Sequence, residues 1–95
     1  MLRFTLRIPD SGSLKDKRQV VRSLTQRIRN TYQAAVAEVG DNEAWQLVTI
    51  GVAVVTNSHR HGEEMLNEIM SFVRETRLDA EVTSWESDLT AFDKD

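Results

Sequence analysis

Leu2-Arg3-Phe4-Thr5-Leu6-Arg7-Ile8, then Pro9-Asp10-Ser11-Gly12, then Ser13-Leu14-Lys15-Asp16-Lys17-Arg18-Gln19-Val20-Val21: this opening decides how the rest of the chain is read. Leu2, Phe4, Leu6 and Ile8 alternate with Arg3, Thr5 and Arg7, the period-two pattern of a strand buried on one face. Pro9 to Gly12 signals a turn, because proline fixes φ and glycine accepts positive φ. Ser13, three residues before Asp16, has the spacing of a helix N-cap facing an acidic residue. The helix it starts extends to about Tyr32. At about 100° per residue, Val20, Val21, Leu24, Ile28 and Tyr32 fall on one side, and Gln19, Ser23, Gln26 and Asn30 fall opposite.

The rest of the chain completes this βαβ half and adds a second, similar one. Ala34 to Val39 reads as a short strand, ended by Gly40-Asp41-Asn42-Glu43 before Trp45. Gln46 to Thr56, rich in β-branched residues, is the clearest strand, and Gly51 within it implies close approach to the sheet or a bulge. Asn57 and Ser58 supply cap chemistry for a second helix reaching about Arg77. Its apolar face is Met65, Leu66, Ile69, Phe72 and Val73, with Met70 at the margin and Glu64, Glu68 and Glu75 along another side. Ala80 to about Leu89 forms a last, more polar strand. The order β-α-β-β-α-β predicts an α+β, ferredoxin-like sandwich: a four-stranded antiparallel sheet with both helices on one face. Strands one and three are central. Strands two and four are edges guarded by Glu38, Glu81 and Glu86. Residues 1–89 form the single domain and 90–95 a frayed tail, with a core of Phe4, Leu6, Val21, Leu24, Ile28, Ile50, Val52, Ile69, Phe72 and Val73.

Composition narrows the chemistry. The 95 residues are 40% hydrophobic and 28% charged, the profile of one folded domain. There is no cysteine, which excludes a disulfide scaffold, a thiol nucleophile and cysteine-ligated metal. The apolar run Ile50 to Val55 is too short to span a bilayer, and no signal-peptide pattern opens the chain, so a cytoplasmic protein without membrane attachment is expected. His59 and His61, two residues apart at a helix start, lack the i, i+4 spacing of a helical metal pair. No metal, cofactor or catalytic residue is expected, and the protein is read as a non-enzyme.

The net charge of −3 conceals a division. Residues 1–32 hold eight basic groups against two acidic ones, and residues 33–95 hold four against thirteen. Lys15, Arg18, Arg22 and Arg29 fall within about 60° of one another on the first helix, flanking its apolar stripe. Such a stripe can track a phosphate backbone, or pair with Glu64, Glu68 and Glu75 of this or another copy. Lys17 lands on the apolar side, so it must snorkel or meet a specific partner. Free amides near Ser13, followed by Lys15, Lys17 and Arg18, suit a phosphate or carboxylate, which keeps a small-anion sensor among the readings. The outer sheet face would show Arg3, Thr5, Arg7, Thr49, Gly51 and Ala53. It lacks the aromatics that stack RNA bases. Thr5, Thr49, Gly51 and Ala53 are instead a candidate interface for a homo-oligomer, most simply a two-fold dimer.

The segment Ile8-Pro9 through Ser13-Leu14-Lys15-Asp16-Lys17-Arg18-Gln19-Val20-Val21 resembles the opening signature of the YlxP-like bacterial proteins, domain of unknown function 503. Ala35-Val36-Ala37-Glu38-Val39-Gly40-Asp41, Trp45-Gln46 and Gly51-Val52-Ala53-Val54-Val55 match the middle of that family in order and spacing. The resemblance covers about residues 4–75. It implies a ferredoxin-like fold and brings no established activity or catalytic residue. Its S-L-K-x-K-R motif falls on Ser13, Leu14, Lys15, Lys17 and Arg18. Genes of similar proteins often stand beside those for translation initiation and ribosome maturation, which implies by association an RNA or ribosomal-particle partner.

Overall fold

A computed structural model describes residues 1–8, 14–39, 47–76 and 80–90 of the chain. Six elements follow in order: β1 (Leu2–Arg7), α1 (Leu14–Tyr32), β2 (Ala35–Val39), β3 (Leu47–Ala53), α2 (His59–Thr76) and β4 (Glu81–Ser87). The strands form one antiparallel sheet in the order β2-β3-β1-β4. β1 and β3 are central and β2 and β4 are the edges, as the charge pattern required. The expected cap at Ser13, the turn Pro9–Gly12 and the connection through Trp45 lie outside the described residues, as do Arg77 and residues 91–95.

Alternation in the strands becomes a one-sided core. Leu2, Phe4 and Leu6 of β1 stand opposite Val52, Ile50 and Val48 of β3, and each is at most 1% exposed. Val36 of β2 extends the same layer across Val52. Against it α1 buries Lys17, Val21, Leu24, Thr25 and Ile28, spaced i, i+4, i+7, i+8, i+11. α2 buries Leu66, Ile69, Met70 and Val73. All but the two polar α1 residues join one hydrophobic cluster, which places both helices on one face of the sheet.

Four expectations are corrected in detail. Phe72 is half-buried at the margin of the core, whereas Met70 lies within it. The buried set 66, 69, 70, 73 centres the face of α2 so that Met65 and Phe72, one heptad apart, flank it together. β3 ends at Ala53 and not at Thr56, because its partners stop there: Leu2 pairs Val52 and Ala35 pairs Ala53. Val55 is accordingly 94% exposed. Likewise β4 stops at Ser87, opposite Leu2. Beyond it Leu89 folds onto α2, where its methyl groups pack over Gly62 beside Thr56.

Local chemistry sets the helix ends. Ser58 caps α2: its Oγ accepts the His61 amide at 3.2 Å, and its carbonyl accepts the Gly62 amide at 2.9 Å. α1 ends where Gln33 takes a left-handed φ of 52° and its amide donates to the Arg29 carbonyl at 2.9 Å. Around Gly51 the pairing to β1 and β3's register to β2 run unbroken, so the glycine marks a close approach. A Cβ there would stand 3.2 Å from Val39 Cγ1. The break in register lies between β1 and β4, at Thr5/Leu6, where Thr83 is the extra residue.

Leu24, fully enclosed between α1 and the sheet, tests this arrangement. Leu24→Ala is expected to cost about 2–5 kcal/mol in chemical denaturation, as large-to-small core changes do. A loss well under that range would contradict the packing described.

Candidate nucleic-acid interface

α1 presents its basic residues unequally. Lys15, Arg18, Arg22 and Arg29 are exposed on it. Lys17 is only 5% exposed and heads the buried stripe that continues into Val21 and Leu24. Of the expected S-L-K-x-K-R residues, Ser13 lies outside the described region and Lys17 belongs to the interior. Lys15 and Arg18 remain on the surface.

Arg29 has a task of its own. Its Nη2 donates to the Val36 carbonyl oxygen at 2.8 Å, tying α1 to β2 at the edge of the sheet. An edge strand exposes unpaired carbonyls, and a guanidinium covering one of them both satisfies it and blocks strand addition. The Arg22 carbonyl accepts the Thr25 hydroxyl at 3.2 Å. The Arg22 guanidinium and that of Arg18 form no ion pair among the described residues.

The acidic side of the molecule keeps to itself. Glu64 pairs with Arg60 one helical turn before it at 3.4 Å, and Glu63 with His59 at 3.1 Å. Both are exposed i, i+4 contacts, of the kind worth a few tenths of a kcal/mol (about 0.3–0.5). Among the described residues no salt bridge joins the basic side chains of α1 to Glu64, Glu68 or Glu75. The alternative in which the two helices neutralise each other within one chain is therefore absent from the described structure. No three histidine or acidic side chains among the described residues gather as a metal group, and no helix is long and apolar enough to cross a membrane.

The outer sheet face is small-residued and open. Thr5 and Thr49 stand directly opposite, with their hydroxyls 3.0 Å apart. Gly51 is half-buried beneath Val39, and Ala53 is exposed. Arg3 pairs with Glu86 across β1 and β4. Arg3, Thr5, Val39, Thr49, Ser84, Trp85 and Glu86 border a shallow recess of about 460 Å³. Trp85, which sequence reasoning passed over, is 46% exposed. The Thr83 bulge shifts the alternation of β4, so Trp85 pairs with inward-facing Phe4 and its ring meets the Arg74 guanidinium at 5.8 Å.

The two classes of arginine predict different behaviour. Arg29→Ala is expected to lower stability by about 1 kcal/mol, the contribution of a lost hydrogen bond, in thermal or urea unfolding. Arg18→Ala and Arg22→Ala should leave the midpoint nearly unchanged. Equal losses at all three positions would contradict the division.

Comparison with known proteins places this architecture. A family model described as "Protein of unknown function (DUF503)" matches residues 1–87. The "Uncharacterized protein YlxP" of Bacillus subtilis (strain 168) is 33% identical over 66 residues, covering 70% of this chain and 72% of that protein.

Proposed function

The chain belongs to the DUF503 family, and from that premise we propose that it is a non-enzymatic binding module which contacts structured RNA, or an RNA–protein particle, through α1. The observation that carries the reading is the exposed, unpaired state of Arg18 and Arg22 among the described residues, beside Lys15 on the same helix face. A protein with net charge −3 that gathers six of its twelve lysines and arginines on one helix gains a local attraction for phosphates without coating nucleic acid at random. Because Arg29 is committed to the Val36 carbonyl, three cations remain for phosphate contact. Binding by them should weaken with salt at a slope of about −2 to −3 in log–log form, taking roughly 0.7 per phosphate of a single strand and 0.9 of a duplex. The joint variant Arg18→Glu and Arg22→Glu should lose sedimentation with ribosomal particles and keep its fold. Retained, salt-insensitive association would remove the reading.

The open sheet face favours a second reading, self-association as a two-fold dimer. Helices cover one side of the sheet only, and Thr5, Thr49, Gly51 and Ala53 let another surface approach closely. Closed symmetric dimers are the common solution for such a face. Sedimentation equilibrium at tens of micromolar should then report a dimer, and Ala53→Glu a folded monomer. A monomeric wild type would contradict it.

A further inference from the structure

A groove lies on the side of the molecule away from the basic stripe. It is about 340 Å³, lined by Tyr32 at the end of α1 and by Asn67, Glu68, Ser71, Phe72 and Glu75 of α2. Tyr32 and Phe72 meet edge to face, ring centres 5.7 Å apart at 79°, and both are half-buried. The Tyr32 hydroxyl reaches the Glu68 carbonyl oxygen at 3.4 Å. The groove is therefore an aromatic floor held between the two helices, with a carboxylate at each end of its α2 wall. Glu68 and Glu75 are seven residues apart, which the helical rise makes about 10 Å.

We propose that this groove docks a basic protein segment, two of whose arginine side chains meet Glu68 and Glu75 while its backbone crosses Phe72 and Tyr32. Charge complementarity selects this occupant. Two carboxylates repel phosphate, which excludes RNA from this side, and a separation of about 10 Å exceeds what one small cation can bridge. An Arg-x-x-Arg stretch in polyproline II geometry, with three residues per turn and about 3.1 Å per residue, spans about the same distance with both arginines on one face. The floor already accepts a guanidinium: Arg27 of this chain sits over the Phe72 ring at 5.6 Å. Arg27 is the one cation among the described residues in contact with this floor, and it leaves the α2 wall with a surplus of negative charge. Neither carboxylate is held by a salt bridge among the described residues. The Tyr32 phenol senses both of them. Its pKa lies above the usual 10.0, raised by burial first and by Glu68 and Glu75 after it. The proposal does not rest on what α1 binds.

Tyr32 is the single tyrosine of the chain, so its ionisation in the ultraviolet reports this groove alone. The test is a titration of the full chain with a blocked Gly-Arg-Gly-Ser-Arg-Gly peptide, followed by amide NMR, beside a peptide with glutamine at both arginines. Shifts should concentrate at Tyr32, Asn67, Ser71 and Phe72, and the bound arginines should move Tyr32 ionisation to lower pH. Glu68→Gln with Glu75→Gln should weaken binding by about tenfold or more, and Arg18→Glu with Arg22→Glu should not weaken it. The proposal falls if the shifts scatter over Glu63, Glu64 and Glu81, if the glutamine peptide binds equally, or if the double glutamine variant binds as wild type. It falls also if the same shifts arise on raising protein concentration without peptide, since the occupant would then be a second copy.

Discussion

The inward side chains of β1 and β3, Leu2, Phe4, Leu6, Val48, Ile50 and Val52, exclude water only because two amphipathic helices lie over the same face. That one-sided burial is the constraint on which the remaining structure depends. It assigns each helix an inner stripe, leaves the other sheet face uncovered, and sends most charge to the outer helix surfaces, the edge strands and the open sheet face. The apolar layer supplies the dominant favourable term in folding, so the charged residues are free to be distributed for other purposes. Arg29 shows the exception, a charge recruited to hold α1 against the open edge of β2.

Segregation of charge follows from this arrangement. A cation on α1 and an anion on α2 would attract if they faced each other, yet exposed pairs contribute little, and the nearest partner within a helix competes well. Glu64 has taken Arg60, and the aromatic pair Tyr32–Phe72 with Arg27 fills the seam between the helices. The basic side of α1 and the acidic groove beside α2 remain as two separate surfaces. On the proposed reading the first meets phosphate and the second meets basic protein, a combination suited to a particle made of both.

Much of this was legible in the sequence because it follows from periodicity. Period two in Leu2–Ile8 and the heptad-like spacing in α1 and α2 gave the elements, their order and their inner faces, and charge on Glu38, Glu81 and Glu86 marked the edges. Lys17 falls on the apolar side of the wheel, where the sequence asks it to snorkel or meet a specific partner, and the fold buries it. What escaped depends on partners distant in the chain. No local pattern says that Arg29 will find the Val36 carbonyl. The bulge at Thr83 reverses the alternation of β4, so Trp85 turns toward the helices and Glu86 toward Arg3. The side-by-side placement of Tyr32 and Phe72 required the packing of two helices before their groove could be seen.

The central claim is that, of the four arginines of α1, Arg29 holds the fold and Arg18 and Arg22 meet phosphate, with Arg27 set apart over the Phe72 ring. Side-chain N–H resonances of the individual arginines, followed by NMR while structured RNA is added at low salt, test it most directly. The account predicts that Arg18 and Arg22 shift and recover when salt is raised, while Arg29 stays where its bond to the Val36 carbonyl holds it. Movement of Arg29 or Arg3 with Arg18 and Arg22 unmoved would contradict it.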